Sequence, residues 1–216
     1  MPVHDSAGPY LAQADIVVLA VKPQNMKEAV RAIRPYLGED ALVVSIAAGI
    51  RGDTLAGWLG TTEAPWLRLV RCMPNTPALV GAGACGLAAL AGVTGQDRDR
   101  VTRIFESVGT VTWVADDAAI DAVTALSGSG PAYVFLFIES LIAGGIAQGL
   151  DAAQARALAL ATLAGATRLA AESDEAPEQL RRNVTSKGGT TAAALAVFDA
   201  ADLRGIVAEA MAAAAK

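Results

Sequence analysis

The chain of 216 residues carries a net charge of −5, with 53% apolar and only 18% charged residues. That is enough for one large domain or two small ones, with more core-forming material than such a chain needs, which points to helices buried on more than one face and hence to an oligomer. The acidic balance, without a basic patch, argues against nucleic acid as a partner, and the single histidine, His4, removes His-based triads, two-His metal sites and a histidine general base, so no metal is expected.

In chain order, residues 1–10 have neither a basic start nor an apolar middle, so no signal peptide is read there. Residues 6–15 look like the end of a helix feeding a strand. Residues 16–21, Ile-Val-Val-Leu-Ala-Val, form a continuous β-branched run, the pattern of a parallel strand buried on both faces. Lys22 and Pro23 end it, and Met26, Val30, Ile33 and Leu37 recur at helical spacing. Residues 42–46 predict a second buried strand, 54–59 a short helix, and 69–73 a third strand ended by Pro74 and Pro77. Residues 87–90 are weaker strand material, Val101, Ile104, Phe105 and Val108 mark another helix, and 110–114 a short strand. Cys72 and Cys85, without metal-type spacing, read as buried thiols of a reducing compartment, and the expected location is the cytoplasm.

Strand and helix thus alternate to about residue 115, as in a doubly wound α/β sheet, and from Asp117 onward only helices are predicted. They cover about 120–125, 131–150 and 151–171, the last opened by an Asp151/Gln154 capping box, then a short helix after Pro177 and further helices to Lys216. The domains expected are therefore 1–115, α/β, and 116–216, all-α. The greasy stretch 132–150 carries Glu139 and a Gly144-Gly145 pair and reads as a buried helix rather than a membrane span.

A dinucleotide-binding sheet starts with a strand, a Gly-rich turn and, about 20 residues on, an acidic residue. Here that opening is lacking, so the α/β part reads as an incomplete Rossmann domain without its first strands and Gly-rich loop. The literal G-x-G-x-x-G at Gly81 to Gly86 is set aside, because it follows two prolines and no helix of sufficient length comes after it.

The most informative tract is Asn183-Val184-Thr185-Ser186-Lys187-Gly188-Gly189-Thr190-Thr191, which leads into the apolar run 192–198. Glycines and hydroxyls at a helix start supply close approach, free N–H groups and O–H donors, the chemistry that holds a small carboxylate. On its own the tract is read first as an N-cap after a flexible Gly-Gly turn.

Three further segments join it: Ala20-Val21-Lys22-Pro23-Gln24, Arg71-Cys72-Met73-Pro74-Asn75-Thr76-Pro77 and Leu126-Ser127-Gly128-Ser129-Gly130-Pro131-Ala132-Tyr133. In order and spacing the four closely resemble pyrroline-5-carboxylate reductase, the last enzyme of proline biosynthesis, over essentially the whole chain. The resemblance implies an N-terminal Rossmann domain followed by a helical domain that intertwines in a homodimer or a higher homo-oligomer. It also implies that Met1 is internal to a longer reading frame or opens a truncated chain. The implied reaction is NADPH- or NADH-dependent reduction of the cyclic imine 1-pyrroline-5-carboxylate to L-proline, with no membrane or nucleic acid involved.

Residue by residue, the resemblance places the cofactor along Ala20, Val21, Lys22 and Pro23 and along Ile46, Ala47 and Ala48, with Asn183 within reach of it. Val184, Ser186, Gly189, Thr190 and Thr191 are placed at the substrate, with Asp117 approaching it. Thr191 is the expected catalytic hydroxyl near the ring nitrogen, in an orienting or proton-relay role, because a threonine is no strong acid. Lysine is absent between Pro131 and Leu150, which argues against an acid-base lysine and suits an imine. Two alternatives stay open: a reductase of another imine or keto acid on this scaffold, and a non-catalytic dimerisation and carboxylate-binding remnant.

Overall fold

The structure, a computed structural model, describes residues 3–215; Met1 and Lys216, on which the expected chain ends fall, lie outside the described residues. The chain divides into two compact units, residues 1–131 with 214–216, and residues 132–213.

In the first unit a 3-10 turn, Pro9–Gln13, leads into β1, Ile16–Leu19. Then follow α1 (Pro23–Ile33), β2 (Leu42–Ser45), α2 (Gly52–Leu59), β3 (Leu69–Met73), a 3-10 turn (Thr76–Val80), β4 (Gly83–Ala89), α3 (Gly95–Glu106), β5 (Gly109–Trp113) and α4 (Ala119–Val123). The five strands lie in the order β1-β2-β3-β4-β5. Pairing is parallel for β1/β2, β2/β3 and β4/β5 and antiparallel for β3/β4. A parallel return needs a crossover of a dozen or so residues. The stretch 74–82 holds only a 3-10 turn, so β4 comes back antiparallel.

Helices cover both faces. Met26 and Val30 of α1 and Leu55 and Leu59 of α2 pack on Leu19, Val43 and Leu69. On the other face Val101 and Phe105 of α3 pack on Leu42, Val44, Val70, Cys85 and Leu87. Each fully buried aliphatic side chain there contributes about 1.5–3 kcal/mol. The expectation that β1 is buried on both faces is corrected: among the described residues it pairs with β2, and of its four residues Leu19 is buried while Val18 is 43% exposed. The Gly-rich stretch from Gly83 to Gly86 is strand, not a phosphate loop, and it is followed by more strand.

The compact division falls inside α5 (Gly130–Ala147), beyond the composition change near residue 115. The reason is that α4 and the π-helical stretch Thr124–Gly128 belong to the sheet. Ile120 is fully buried, and Val123 lies so close to β4 that a Cβ on Gly86 would meet its Cγ1 at 2.5 Å.

The second unit is helical: the body of α5, then α6 (Ala152–Glu172), α7 (Pro177–Asn183), α8 (Thr190–Ala200) and α9 (Leu203–Ala214). The capping box predicted for α6 is present, with Asp151 Oδ1 accepting from Gln154 N at 2.8 Å and Gln154 Oε1 from Asp151 N at 3.2 Å. Of its residues only Ala155 and Ala159 are buried, and Phe135, Leu136, Leu158 and Val197 are more than half exposed.

Candidate active site

The strand register brings the two candidate cofactor segments side by side. Leu19 pairs with Ser45, and Ser45 with Arg71, so β1 and β2 end at the same carboxyl edge of the sheet. The Ile46 N–H donates to the Leu19 carbonyl at 3.2 Å, which sets Ala20 beside Ile46. Ligands of open α/β sheets bind at this edge.

Lys22 is the N-cap of α1 and Pro23 its first residue, and no side chain caps that helix. Pro23 brings no N–H and the Asn25 N–H donates to the Lys22 carbonyl at 2.9 Å, so the Gln24 N–H and the Lys22 ammonium are the donors this helix start offers to an anionic group at the edge. Ala20, Val21, Lys22 and Pro23 are exposed, whereas Ala47 is buried and Ile46 and Ala48 are half-buried. Small side chains at 47 and 48 leave room for a flat ring, and Gly49, at φ +72, turns the chain away. The Lys22 end suits a ribose-phosphate group, and the space beside Ala47 and Ala48 suits a flat ring such as a nicotinamide.

Asp117 is engaged elsewhere in the first unit. Its Oδ1 accepts from Arg71 at 2.8 Å and its Oδ2 from the Gly52 N–H at 3.1 Å. Asn75, to which the sequence reading gave no role, joins two of the motif segments: its Nδ2 donates to the Ser127 carbonyl at 3.0 Å and its Oδ1 accepts from Ala84 N at 2.8 Å. The signal that could have found it is a single amide between two prolines, at the end of a buried strand.

The remaining candidates lie in the second unit. Gly189 is the N-cap of α8, and no side chain caps the helix. The first intrahelical bond runs from Ala193 N to the Gly189 carbonyl at 3.1 Å, so the N–H groups of Thr190, Thr191 and Ala192 precede it. Three aligned donors at the positive end of a helix dipole favour an anionic group.

Ser186 folds back onto this start. Its carbonyl accepts from Gly189 N at 3.0 Å, and its Oγ lies 2.5 Å from where a Cβ on Gly189 would stand. Only glycine allows that approach. Val184 ends α7 and is 66% exposed, and Ser186, Thr190 and Thr191 are exposed as well. Asn183 has both polar atoms occupied, accepting from Gln179 at 2.7 Å and donating to Glu175 at 2.8 Å, so it fixes the end of α7.

A parallel-dominated sheet with an open helix start at its carboxyl edge, followed by a helical unit with another uncapped helix start, is the architecture of a two-part protein of the dinucleotide-binding class. Residues 117–216 match the family described as pyrroline-5-carboxylate reductase dimerisation, and residues 4–49 match NADP oxidoreductase coenzyme F420-dependent. The chain is 44% identical to the pyrroline-5-carboxylate reductase of Pseudomonas aeruginosa over 99% of its length and 77% of that protein. It is 43% identical to the Pisum sativum enzyme, over 94% of the chain and 72% of the relative. Among solved structures it resembles the Plasmodium falciparum pyrroline carboxylate reductase with NADP bound, at TM-score 0.86 and 36% identity, covering 97% of this chain and 78% of that one. The Coxiella burnetii pyrroline-5-carboxylate reductase gives 0.87 and 40%, covering 94% and 74%. The chain belongs to the pyrroline-5-carboxylate reductase family.

Proposed function

We propose that the chain reduces 1-pyrroline-5-carboxylate to L-proline with NADPH or NADH. The observation that carries this reading is the uncapped start of α8, where the N–H groups of Thr190, Thr191 and Ala192 precede the first intrahelical bond. It supplies a carboxylate site in a chain whose family handles a cyclic imine carboxylate.

The nicotinamide supplies a hydride for the imine carbon. Lys22 and the start of α1 hold the cofactor's ribose and phosphate side, and Ile46, Ala47 and Ala48 lie along its nicotinamide side. The α8 start, with the Ser186 and Thr190 hydroxyls and the Gly189 backbone, holds the substrate carboxylate and thereby fixes the ring. The Thr191 hydroxyl stands at the ring nitrogen and orients or relays its proton, and the Val184 carbonyl accepts from the ring N–H. The imine nitrogen carries its own proton, so no lysine acid is required. Asn183 serves through the end of α7, which it holds.

The working unit in this reading is a homodimer or a higher homo-oligomer in the cytoplasm. The continuous helix from Ala119 to Ala147 is long and apolar enough to cross a membrane by length and composition. It lies within the segment that matches a dimerisation family, so its exposed apolar side chains are read as contacts with a second copy. The free, buried Cys72 and Cys85 suit a reducing compartment.

The test is NADPH oxidation with a panel of cyclic imines and keto acids. Oxidation only with 1-pyrroline-5-carboxylate supports the assignment. Preference for another acceptor moves it to a different reductase, and cofactor binding without turnover makes the chain a binding remnant. Thr191→Ala is expected to lower turnover about tenfold with cofactor affinity unchanged, since one hydrogen bond to the reacting ring is lost. An unchanged rate removes Thr191 from the mechanism.

A further inference from the structure

We propose that Asp117 and Arg71 are positioning residues for the turn 46–51, holding the cofactor-facing residues Ile46 to Ala48 in one geometry. The cofactor consequence rests on the reading of that turn given above; the clamp itself does not.

Arg71 sits within β3, in register with Ser45, the last residue of β2, and is 3% exposed. A guanidinium buried there requires a partner. Asp117, from the segment between β5 and α4, supplies it at 2.8 Å. The same carboxylate accepts from the N–H of Gly52, the first residue of α2, at 3.1 Å, and lies 4.0 Å from the Arg51 guanidinium. One side chain thus ties together segments 46 and 65 residues away in sequence.

The turn is held at both ends. At one end Ser45 is fixed by pairing with Leu19 and Arg71. At the other, Gly52 is fixed by Asp117, and a carboxylate on the first N–H of a helix also meets the positive end of its dipole. The position is closed: a Cβ on Gly52 would lie 3.2 Å from Asp117 Oδ1 and 3.1 Å from Leu90 Cδ1. Between the two anchors Ala47 and Ile50 are buried, and Gly49 turns at φ +72. Releasing Gly52 therefore removes the hydrogen bond that fixes the turn where it enters α2, leaving that end held by the packing of Ile50 and Leu55. In this proposal Asp117, expected to approach the substrate, is a positioning residue for the turn, one oxygen accepting from Arg71 and the other from Gly52.

The test compares Asp117→Ala, the milder Asp117→Asn, Arg71→Met and the double variant Arg71→Met/Asp117→Ala with the wild-type chain. Amide exchange across 46–52 is expected to quicken about tenfold in Asp117→Ala, with the helical unit unchanged. The cofactor KM should rise about tenfold while the KM for 1-pyrroline-5-carboxylate stays constant. The double variant should be no worse than the worse single one, and Asp117→Asn, which keeps an acceptor for Gly52, should recover part of the loss.

Wild-type exchange across the turn in both Asp117 variants overturns the proposal, as does a rise in the imine KM with the cofactor KM unchanged. Ala48→Trp separates the two claims. If a bulky residue in the turn leaves cofactor affinity unchanged, the cofactor reading fails, and the exchange data still decide the clamp.

Discussion

The two units of this chain solve the problem of apolar surface in opposite ways. The sheet unit builds two apolar cores of its own, one on each face, with Val43 and Val44 of one strand in different cores. The helical unit buries almost nothing: α5, α8 and α9 have no buried residue, and the buried positions of α6 are two alanines. The first unit holds two cores of its own, whereas the second, which lies in the segment matching a dimerisation family, leaves its apolar side chains exposed. The apolar excess in the sequence is therefore a statement about assembly rather than about one large core.

The sharpest way to break that contrast is to charge the helical face. Phe135→Asp with Leu136→Asp, at positions 56% and 65% exposed, is expected to weaken self-association about 100-fold or more while leaving the sheet unit folded. Sedimentation over a range of protein concentrations checks this, and an unchanged oligomer would show that the face serves another purpose.

Leu59→Ala probes the opposite case. Leu59 is fully buried in the first unit, so the change should cost about 3 kcal/mol, and the loss should not depend on protein concentration. Urea unfolding at two concentrations distinguishes the outcomes.

Asp97→Asn comes next and carries a pH signature. Burial pushes the Asp97 carboxyl up, but the Thr94 N–H and hydroxyl and the Arg68 guanidinium outweigh it and hold the group below its usual range. A carboxyl held low in the folded state contributes stability that is complete above the ordinary value of about 4 and is lost as pH falls through the lowered one. The variant should cost about 2 kcal/mol near neutrality and show a smaller loss of urea midpoint on acidification. An equal acid loss in both proteins would contradict the assignment.

The smallest effect is expected at the start of α6. Asp151→Ala removes one half of a solvent-exposed capping box and should cost about 1 kcal/mol, read from the thermal midpoint of the assembled protein.

Much of the fold was legible because the signals are local. β3 spans Leu69–Met73 as the pattern predicts, bounded by Pro74, and the Asp151/Gln154 box marks α6 without any tertiary information. β4 was half-seen, because its residues Gly83 to Ala89 are small and carry almost no strand propensity; their pairing with β3 and β5 makes them a strand. The exposure of Val18 could not be read from its own β-branched run, because the number of neighbours a strand has is a property of the sheet.

The candidate site was legible where chemistry and helix start coincide, from Ser186 to Thr191. Asp117 was named from the sequence, but its pairing with Arg71 and the Gly52 N–H was not legible, because a charge pair and a helix N–H meet there only after the chain has folded. Local pattern locates candidate ligand-facing groups; the contacts that join distant segments appear only in the fold.

The most direct measurement is steady-state NADPH oxidation by the assembled protein as 1-pyrroline-5-carboxylate is added, run beside Thr191→Ala. The account predicts oxidation that depends on the imine, forms proline in equal amount, and slows about tenfold in the variant with cofactor affinity unchanged. Oxidation independent of the imine, or a variant as fast as the parent, would contradict it.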